Sequence, residues 1–454
     1  MDDPFYNRRN WGDLEDGGVN GEVFTNDVKL TPWWWEAAPL RSPNGAVLPA
    51  DADVAVIGAG YSGLSAALTL ARAGRKVVVM DSESPGYGAS SRNGGQCGSG
   101  NQKFTAAQLI AKHGEKKARA LVAEGLAMLR HLGDFIEAEG IECYFSRVGR
   151  FRGAATPRHY EDLARDLEDM RTLAGVESHM VPRAEQHQEV GSDFYHGGAV
   201  LPNDASLHPA LYHRALLQRA EEAGVQVIGH TPVSGVVPES GQVTVNTSRG
   251  RLQARCALLT TNGYTGRPIR LFNRRIIPIG SAMIATEVLD PALLRRLMPK
   301  NRVVGSSSRI YHYMRLCPEG KRFLWGGRVK GWGLPDAPSA YLHLYRDMLR
   351  VFPELEGTRI THCWSGYVGY TRDVFPHLGH RDRIYHAMGY CGTGVVRATY
   401  FGRKIALKIL GDEEGRTAFD DLEFRNYPLH FLVRRMVPAV IEWHRFRDFL
   451  ERRD

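Results

Sequence analysis

ADVAVIGAGYSGLSAALTLARAGRKVVVMDSESPGYGASSRNGG, residues Ala52 to Gly95, is the stretch that decides the fold. It opens with an apolar strand, Asp53 to Ile57, and turns through Gly58-x-Gly60-x-x-Gly63 into a helix that begins near Tyr61. A second apolar strand, Lys76 to Met80, ends in Asp81 and is followed by a second glycine-rich turn. Each glycine has a separate physical task. Gly58 permits the tight turn out of the strand, Gly60 lets the backbone approach a pyrophosphate, and Gly63 lets the helix pack closely on the sheet. The helix then points its unpaired N–H groups and the positive end of its dipole at the phosphates, with the Ser62 and Ser65 hydroxyls as further donors. Asp81 lies about twenty residues beyond the turn, where a carboxylate accepts hydrogen bonds from an unphosphorylated ribose diol. This order of elements predicts a dinucleotide site and leaves NAD and FAD undistinguished.

The next segment separates the two. Gly86-Tyr-Gly-Ala-Ser-Ser-Arg-Asn-Gly-Gly95 resembles the FAD-dependent D-amino acid oxidase superfamily, in its glycine and sarcosine oxidase branch, and most nearly the gamma-glutamylputrescine oxidoreductase group. The resemblance implies that Gly88, Ala89, Ser90, Ser91, Arg92, Asn93 and Gly94 run under the pyrophosphate and along the flavin, and it adds Ser82, Val233 and Trp364 to the cofactor contacts. Leu258-Leu-Thr-Thr-Asn-Gly-Tyr264 is similar to the family's second approach to the cofactor, through Thr261, Asn262 and Gly263. Ile384-Tyr-His-Ala-Met-Gly-Tyr-Cys-Gly-Thr-Gly-Val-Val396 is similar to the third, through Gly389, Gly392, Thr393, Gly394 and Val395. The helix that these glycines open runs to Leu410, and its N-terminus is placed to stabilise negative charge on a reduced flavin.

A chain of 454 residues, 43% hydrophobic and 24% charged, is globular and too long for one core. The expected fold is α/β with an α+β substrate part: a Rossmann-type FAD-binding domain carrying an inserted antiparallel-sheet substrate domain. The FAD-binding domain is expected to be discontinuous, over residues 50–103, 199–264 and 360–410. Residues 104–198, mostly helical, and 265–359, rich in strands, form the substrate domain. In the latter, Arg275 to Glu287 is a strand, and Tyr311-His-Tyr-Met-Arg-Leu and Phe323-Leu-Trp-Gly-Gly pair around the turn Pro318-Glu-Gly320. Residues 1–49 are an extension whose Trp33-Trp34-Trp35 run is either a clasp onto the body or a wall of the substrate entrance. Residues 411–454 are a tail with an amphipathic, arginine-bearing helix that docks on the body.

Six scattered cysteines without a C-x-x-C pair support neither a disulfide framework nor a metal site, and no metal is expected. With no leader pattern and no apolar run of membrane-spanning length, the chain is expected to be soluble and cytoplasmic. The formal charge of +8 comes without basic residues interleaved with aromatics, which excludes nucleic-acid binding and suits FAD phosphates or an acidic substrate.

The resemblance implies oxidation of a C–N bond. Hydride leaves the carbon beside the amine for flavin N5, and the imine hydrolyses. Along the expected strand, Tyr313 and Arg315 face opposite to His312, and these three are the candidate catalytic and substrate-gripping residues. Arg315 suits a carboxylate fork, and His208, His312 and His362 are candidate bases. Two departures from sarcosine oxidases favour a larger amine, such as an acylated polyamine, over glycine or sarcosine. The position of that branch's second arginine is Gly95, and no lysine occurs from Ala118 to Pro299, so oxygen is expected to be a slow acceptor beside another electron acceptor. Cys363 stands near the position of the sarcosine oxidase flavin tether, but the surrounding pattern is missing and noncovalent FAD is expected. The alternatives are a D-amino acid or imino acid dehydrogenase that passes electrons to a quinone, with Arg315 as anchor, and a non-catalytic flavoprotein subunit.

Overall fold

The computed structural model describes residues 23–43, 45–99, 103–266, 269–331 and 333–452. Residues 1–22 of the expected extension and the last residues of the tail lie outside these. Among the described residues the strands build two large sheets, of eight and nine strands.

In the first sheet Gln226–Ile228, Val77–Met80, Asp51–Ile57 and Gly250–Leu259 lie side by side and parallel. From Val54 to Ile57 every residue is buried, as a parallel strand covered on both faces requires. Gly250–Leu259 then forks. Its first half pairs antiparallel with Val243–Thr247, which carries Val233–Pro238; its second half pairs parallel with Ile384–Met388, which carries His377–Arg381.

The helices Tyr61–Arg72 and Gly394–Leu410 pack against one another beside this sheet. Their approach is close enough that a Cβ on Gly402 would stand 2.5 Å from the Ser62 carbonyl oxygen and 2.8 Å from Ser65 Cβ. The Ser65 hydroxyl donates to Thr399 O at 2.7 Å, and Ser62 Oγ meets the Tyr390 hydroxyl at 2.5 Å. Both hydroxyls expected to serve phosphate are therefore spent within the protein, Ser65 on the second helix and Ser62 on the turn that leads into it. Glu115–Ala138 and Pro209–Glu222 complete the same apolar core.

The second sheet runs in the order Phe24–Lys29, Ile360–Tyr370, Ile277–Thr286, Phe323–Arg328, Tyr313–Leu316, Val303–Ser306, Arg150–Gly153, Gly198–Leu201, His179–Val181. Only the pairing of Phe24–Lys29 with Ile360–Tyr370 and of Val303–Ser306 with Arg150–Gly153 is parallel. The expected hairpin is present, with Arg315 opposite Leu324. One face is closed by an aromatic and aliphatic core that includes Trp325, Phe323, Tyr345 and Phe352.

Three segments differ from the sequence expectation. Ile360–Tyr370, expected in the FAD-binding part, makes its ten-position pairing with Ile277–Thr286 instead, because its long apolar alternation suits a central antiparallel strand. The largely helical segment 104–198 holds the expected helices, now Glu115–Ala138 and Pro157–Ala174, and also supplies Arg150–Gly153 and His179–Val181 to the sheet. The extension contributes an edge strand at Phe24–Lys29.

Candidate active site

The site is assembled first from backbone. Gly58 adopts a φ of 106°, which a side chain would resist, and a Cβ on Gly63 would collide with the Gly58 carbonyl oxygen. The helix after this turn starts at Tyr61 without a side-chain cap from Gly60. Tyr61 N–H donates to Ser90 Oγ at 3.0 Å, and a Cβ on Gly60 would stand 2.8 Å from that oxygen. The two glycine-rich segments thus meet at the helix N-terminus, where the following N–H groups have no partner within the helix. Asp81 accepts Ala59 N–H at 2.8 Å and Glu83 N–H at 3.1 Å. Burial raises its pKa to about 6. Ser82 is exposed beside it, and Val233 opens the meander strand at the same end of the sheet.

The second loop is held from beneath. Asn93 donates to Ala89 O and Ser90 O and accepts Gly95 N–H at 2.8 Å, which folds Ala89–Asn93 into one helical turn. Ser91 Oγ donates to Gly86 O and accepts Trp35 Nε1–H at 2.8 Å. Arg92 donates to Tyr87 O and Ser365 O, with its guanidinium between the Trp35 and Tyr87 rings. Trp364 Nε1–H donates to Arg92 O at 2.8 Å. The tryptophan run therefore acts as the clasp: Trp34 is fully buried, edge-on to His208 and Trp364, and none of the three lines the cavity described below.

The third segment converges on the same place. Asn262, in the left-handed region at φ 43°, accepts Gly389 N–H at 2.9 Å. Gly263 packs against the Gly369 backbone, and Thr261 is tied to Thr265. These residues position the turn that leads to Gly392, Thr393 and Gly394 rather than lining the cavity. The helix Gly394–Leu410 starts there with no side-chain cap, leaving its first N–H groups available.

Between the loops and the second sheet lies a cavity of about 370 Å³. Its walls include Ala89, Arg92, Asn93, Gly94, Gly392, Thr393 and Val395 on one side, and Met283, Tyr313 and Trp364 on the other. The sheet register explains the second wall. Trp364 is opposite Met283, Met283 opposite Gly326, Gly326 opposite Tyr313, Tyr313 opposite Gly305, and Gly305 opposite Arg152. Residues opposite one another share a face, so this is one transverse row. A Cβ on Gly94 would stand 2.8 Å from the Tyr313 ring and 3.7 Å from Met283 Cε, so the row and the loop face each other closely.

Of the three candidate catalytic residues, only Tyr313 borders the cavity; its hydroxyl stands 3.3 Å from Ser281 Oγ. Arg315 shares its face but is spent elsewhere. Its guanidinium donates to Leu207 O at 2.8 Å, Gly95 O at 3.0 Å, Gly94 O at 3.4 Å and Leu316 O at 3.0 Å. It is a buried clamp that fixes the second loop, and it does not present the expected carboxylate fork. His312 lies on the opposite face, stacked on Trp325 and 3.1 Å from the Tyr195 hydroxyl; burial lowers its pKa to about 3. His208 caps the helix Pro209–Glu222 through Leu211 N–H, and His362 is bonded to Glu36 and Thr361. None of these histidines reaches the cavity, and none is a base for it.

Cys363 follows the same parity. Its neighbour Trp364 faces the cavity, so the thiol points into the core behind the sheet, where burial pushes its pKa well up. A tether from that position is ruled out by the strand's own alternation.

Sequence reasoning missed five cations at the cavity and a phenol beside two of them. Lys103, Arg150, Arg152, Arg309 and Arg328 all border the cavity. Arg328 donates to the Tyr370 hydroxyl at 2.6 Å, and Lys103 Nζ is 3.5 Å from it. Burial alone pushes the Tyr370 phenol up, but the two cations outweigh it and leave its pKa lowered. Arg150 is held by Asp204 at 2.6 Å, by Gln96 and by the Tyr311 hydroxyl. The signal available for the pair was the alternation Arg150-Phe-Arg152, which puts both arginines on one face of a strand.

Comparison with known proteins agrees with this arrangement. Residues 53–407 match the DAO family model, described as FAD dependent oxidoreductase, and the chain belongs to that family. It is 31% identical over 404 residues to the probable oxidoreductase OrdL of Haemophilus influenzae, covering 87% of this chain and 92% of that one. It is 31% identical over 397 residues to the gamma-glutamylputrescine oxidoreductase of Escherichia coli, covering 86% and 90%. Among solved structures, glycine oxidase from Geobacillus kaustophilus superposes with a TM-score of 0.71 at 20% identity, over 84% of this chain and 99% of that one. The protein is an FAD-dependent enzyme, and its residues fit the cofactor: a glycine turn and free helix N-terminus for the pyrophosphate, a carboxylate at the strand end, and one cavity joining the Gly94 loop to the N-terminus of Gly394–Leu410.

Proposed function

We propose that the enzyme oxidises a C–N bond of an amine, a secondary amine or an acylated polyamine such as gamma-glutamylputrescine, to an imine that hydrolyses. The observation that carries this reading is the single cavity shared by the Gly94 loop, the Gly392–Val395 helix start and the row Trp364, Met283, Tyr313. When bound there, FAD supplies the acceptor for the hydride that leaves the carbon next to nitrogen.

The chain's own residues do the remaining work. Trp364, Met283 and Tyr313 form an apolar and aromatic wall that keeps water from the reacting carbon. The neighbouring cations Arg328 and Lys103 disfavour a further positive charge, so an incoming amine is held in its neutral form, the form able to release hydride. Similarity to the gamma-glutamylputrescine oxidoreductase supports the acylated polyamine. The occupation of Arg315 by backbone carbonyls weighs against the quinone-linked D-amino acid reading, which needed it as anchor. Six buried, unpaired cysteines support the cytoplasm as the compartment.

The test is the visible spectrum of the purified protein without oxygen while acylated polyamines, N-methyl amino acids and D-amino acids are added singly. Bleaching by an acylated polyamine and by neither amino-acid class is the expected result. Bleaching by D-amino acids alone overturns it.

A further inference from the structure

Six cationic side chains line the cavity, Arg92, Lys103, Arg150, Arg152, Arg309 and Arg328, and among the described residues no carboxylate does. Five of them are engaged within the protein. Arg92 bonds two carbonyls, Arg150 pairs with Asp204, Arg309 pairs with Asp448 and Glu451, and Arg328 and Lys103 share Tyr370. Arg152 differs. Among the described residues it forms no hydrogen bond and no ion pair; Tyr311 and Asp166 attract it from a distance, while burial lowers its pKa. A half-buried guanidinium without a protein partner is left to the cavity it borders, and the cavity is the side on which a counter-ion can be supplied.

Its place in the sheet is equally specific. Arg152 ends the row that begins at Trp364, two strands beyond Tyr313, which at strand spacing is about 10 Å from the point where the row meets the Gly94 loop. Between the two lie the rings of Tyr311 and Tyr313, stacked at 5.9 Å, with Tyr311 filling the space that Gly305 leaves open. The far rim, Ser306 to Arg309, is pinned from outside by the C-terminal helix His430–Glu451. Asp448 accepts the Arg309 and Ile310 N–H groups, and Arg452 donates to Ser308 Oγ at 2.8 Å. The cavity thus runs from a hydride-accepting end, along an aromatic floor, to an unneutralised cation on a rigid strand.

We propose that Arg152 is the counter-ion of a remote subsite for a carboxylate, one that the substrate carries far from its reacting carbon. This deepens the amine-oxidation reading and rests on it for the identity of the reacting end. The substrate class is an amine with a flexible stem about 7–10 Å long, the reach of two to three extended residues, and an acidic terminus. A free di- or polyamine, with a cation at that end, is rejected by the same arginine. A carboxylate meets the guanidinium fork in the bidentate geometry that gives arginine its selectivity.

The holoenzyme tests this in two measurements. Anaerobic flavin bleaching is compared for N-glutarylputrescine and for N-pentanoylputrescine, which keeps the amine, the amide and the stem length but lacks the carboxylate. Wild type is expected to favour the former about 100-fold in kcat/KM, and Arg152→Gln to bring the ratio to within about fivefold. Arg152→Lys, which keeps the charge, should retain an intermediate preference and serves where the glutamine variant does not yield yellow protein. In parallel, the mono-N-butylamide of glutarate, which has the acidic end and no amine, is titrated into the oxidised enzyme. Its affinity is expected to fall about 30-fold or more in Arg152→Gln. Equal affinity in the two proteins overturns the subsite. Arg152-dependent binding without bleaching by any amine sustains the subsite and overturns amine oxidation instead.

Discussion

The two sheets of this protein meet the cavity between them by different means. The parallel sheet presents backbone: the Gly58 turn, the open N-termini of Tyr61–Arg72 and Gly394–Leu410, and loops whose side chains mostly hold one another. The antiparallel sheet presents side chains, in a transverse row from Trp364 to Arg152 whose members come from six strands. A backbone site tolerates little change because a turn has few ways to be built. A side-chain row can be rewritten one residue at a time while the ladder of main-chain bonds stays intact.

The strongest way to break this contrast is in the backbone half. Gly63→Ala places a methyl group 2.0 Å from the Gly58 carbonyl oxygen, a main-chain atom that cannot swing aside, with the Thr260 hydroxyl 2.8 Å away. A loss of about 3 kcal/mol or more is expected, together with colourless protein. Urea unfolding and the visible spectrum measure the two effects, and a stable, yellow variant removes the argument for a rigid turn.

Arg315→Met comes next, because Arg315 belongs to the substrate sheet yet serves the cofactor loop. It strips partners from the buried carbonyls of Gly94, Gly95 and Leu207, and a destabilisation of about 2–4 kcal/mol is expected, with weaker FAD retention. Should stability and FAD retention be unchanged while KM alone rises, Arg315 acts as a substrate anchor and the division between the halves fails.

A smaller effect is expected at Asp81, the one charged side chain in the backbone half that meets the ribose in this reading. Burial raises its pKa to about 6, above the ordinary 3.8. The folded state therefore holds this proton more tightly than the unfolded chain, and the group's contribution to stability falls as pH rises from about 4 to about 6. Cofactor binding has the opposite sign, because the anion is the better acceptor for a ribose hydroxyl. FAD should be held about tenfold less tightly at pH 5 than at pH 7, and Asp81→Asn should flatten that dependence. Equilibrium dialysis across the range checks it; a pH-independent wild type places the ribose elsewhere.

Tyr313→Phe should do least. It removes one long contact to Ser281 and keeps the ring against Gly94 and Gly326, so stability should change by about 0.5 kcal/mol and FAD content not at all. A large fall in the bleaching rate would give the hydroxyl a chemical role and sharpen the picture of this wall.

These same particulars show how far the chain could be read beforehand. The strand, turn and helix over Asp51–Arg72 and the hairpin around Gly320 rest on contacts near in sequence, so apolar runs and glycines disclose them. The alternation of Tyr313, Arg315 and His312 between faces was equally visible. What each then meets was not, since Arg315 finds Leu207 O and His312 finds Trp325 and Tyr195 through long-range packing. Arg150 and Arg152 were hidden for a related reason: their short strand interrupts a largely helical segment and pairs with Val303–Ser306, about 150 residues away.

By itself, then, the sequence determined the nucleotide-binding unit, the flavin class and the presence of a second, strand-rich part. Those depend on backbone geometry written into glycine spacing and on apolar periodicity over a few dozen residues. Only the tertiary structure decided which cations face the cavity, that Arg315 is a clamp, and that Arg152 is left without a partner among the described residues. The face and neighbours of a strand residue are set by register with strands distant in the chain, and a shift of one position would turn every one of those side chains to the other side.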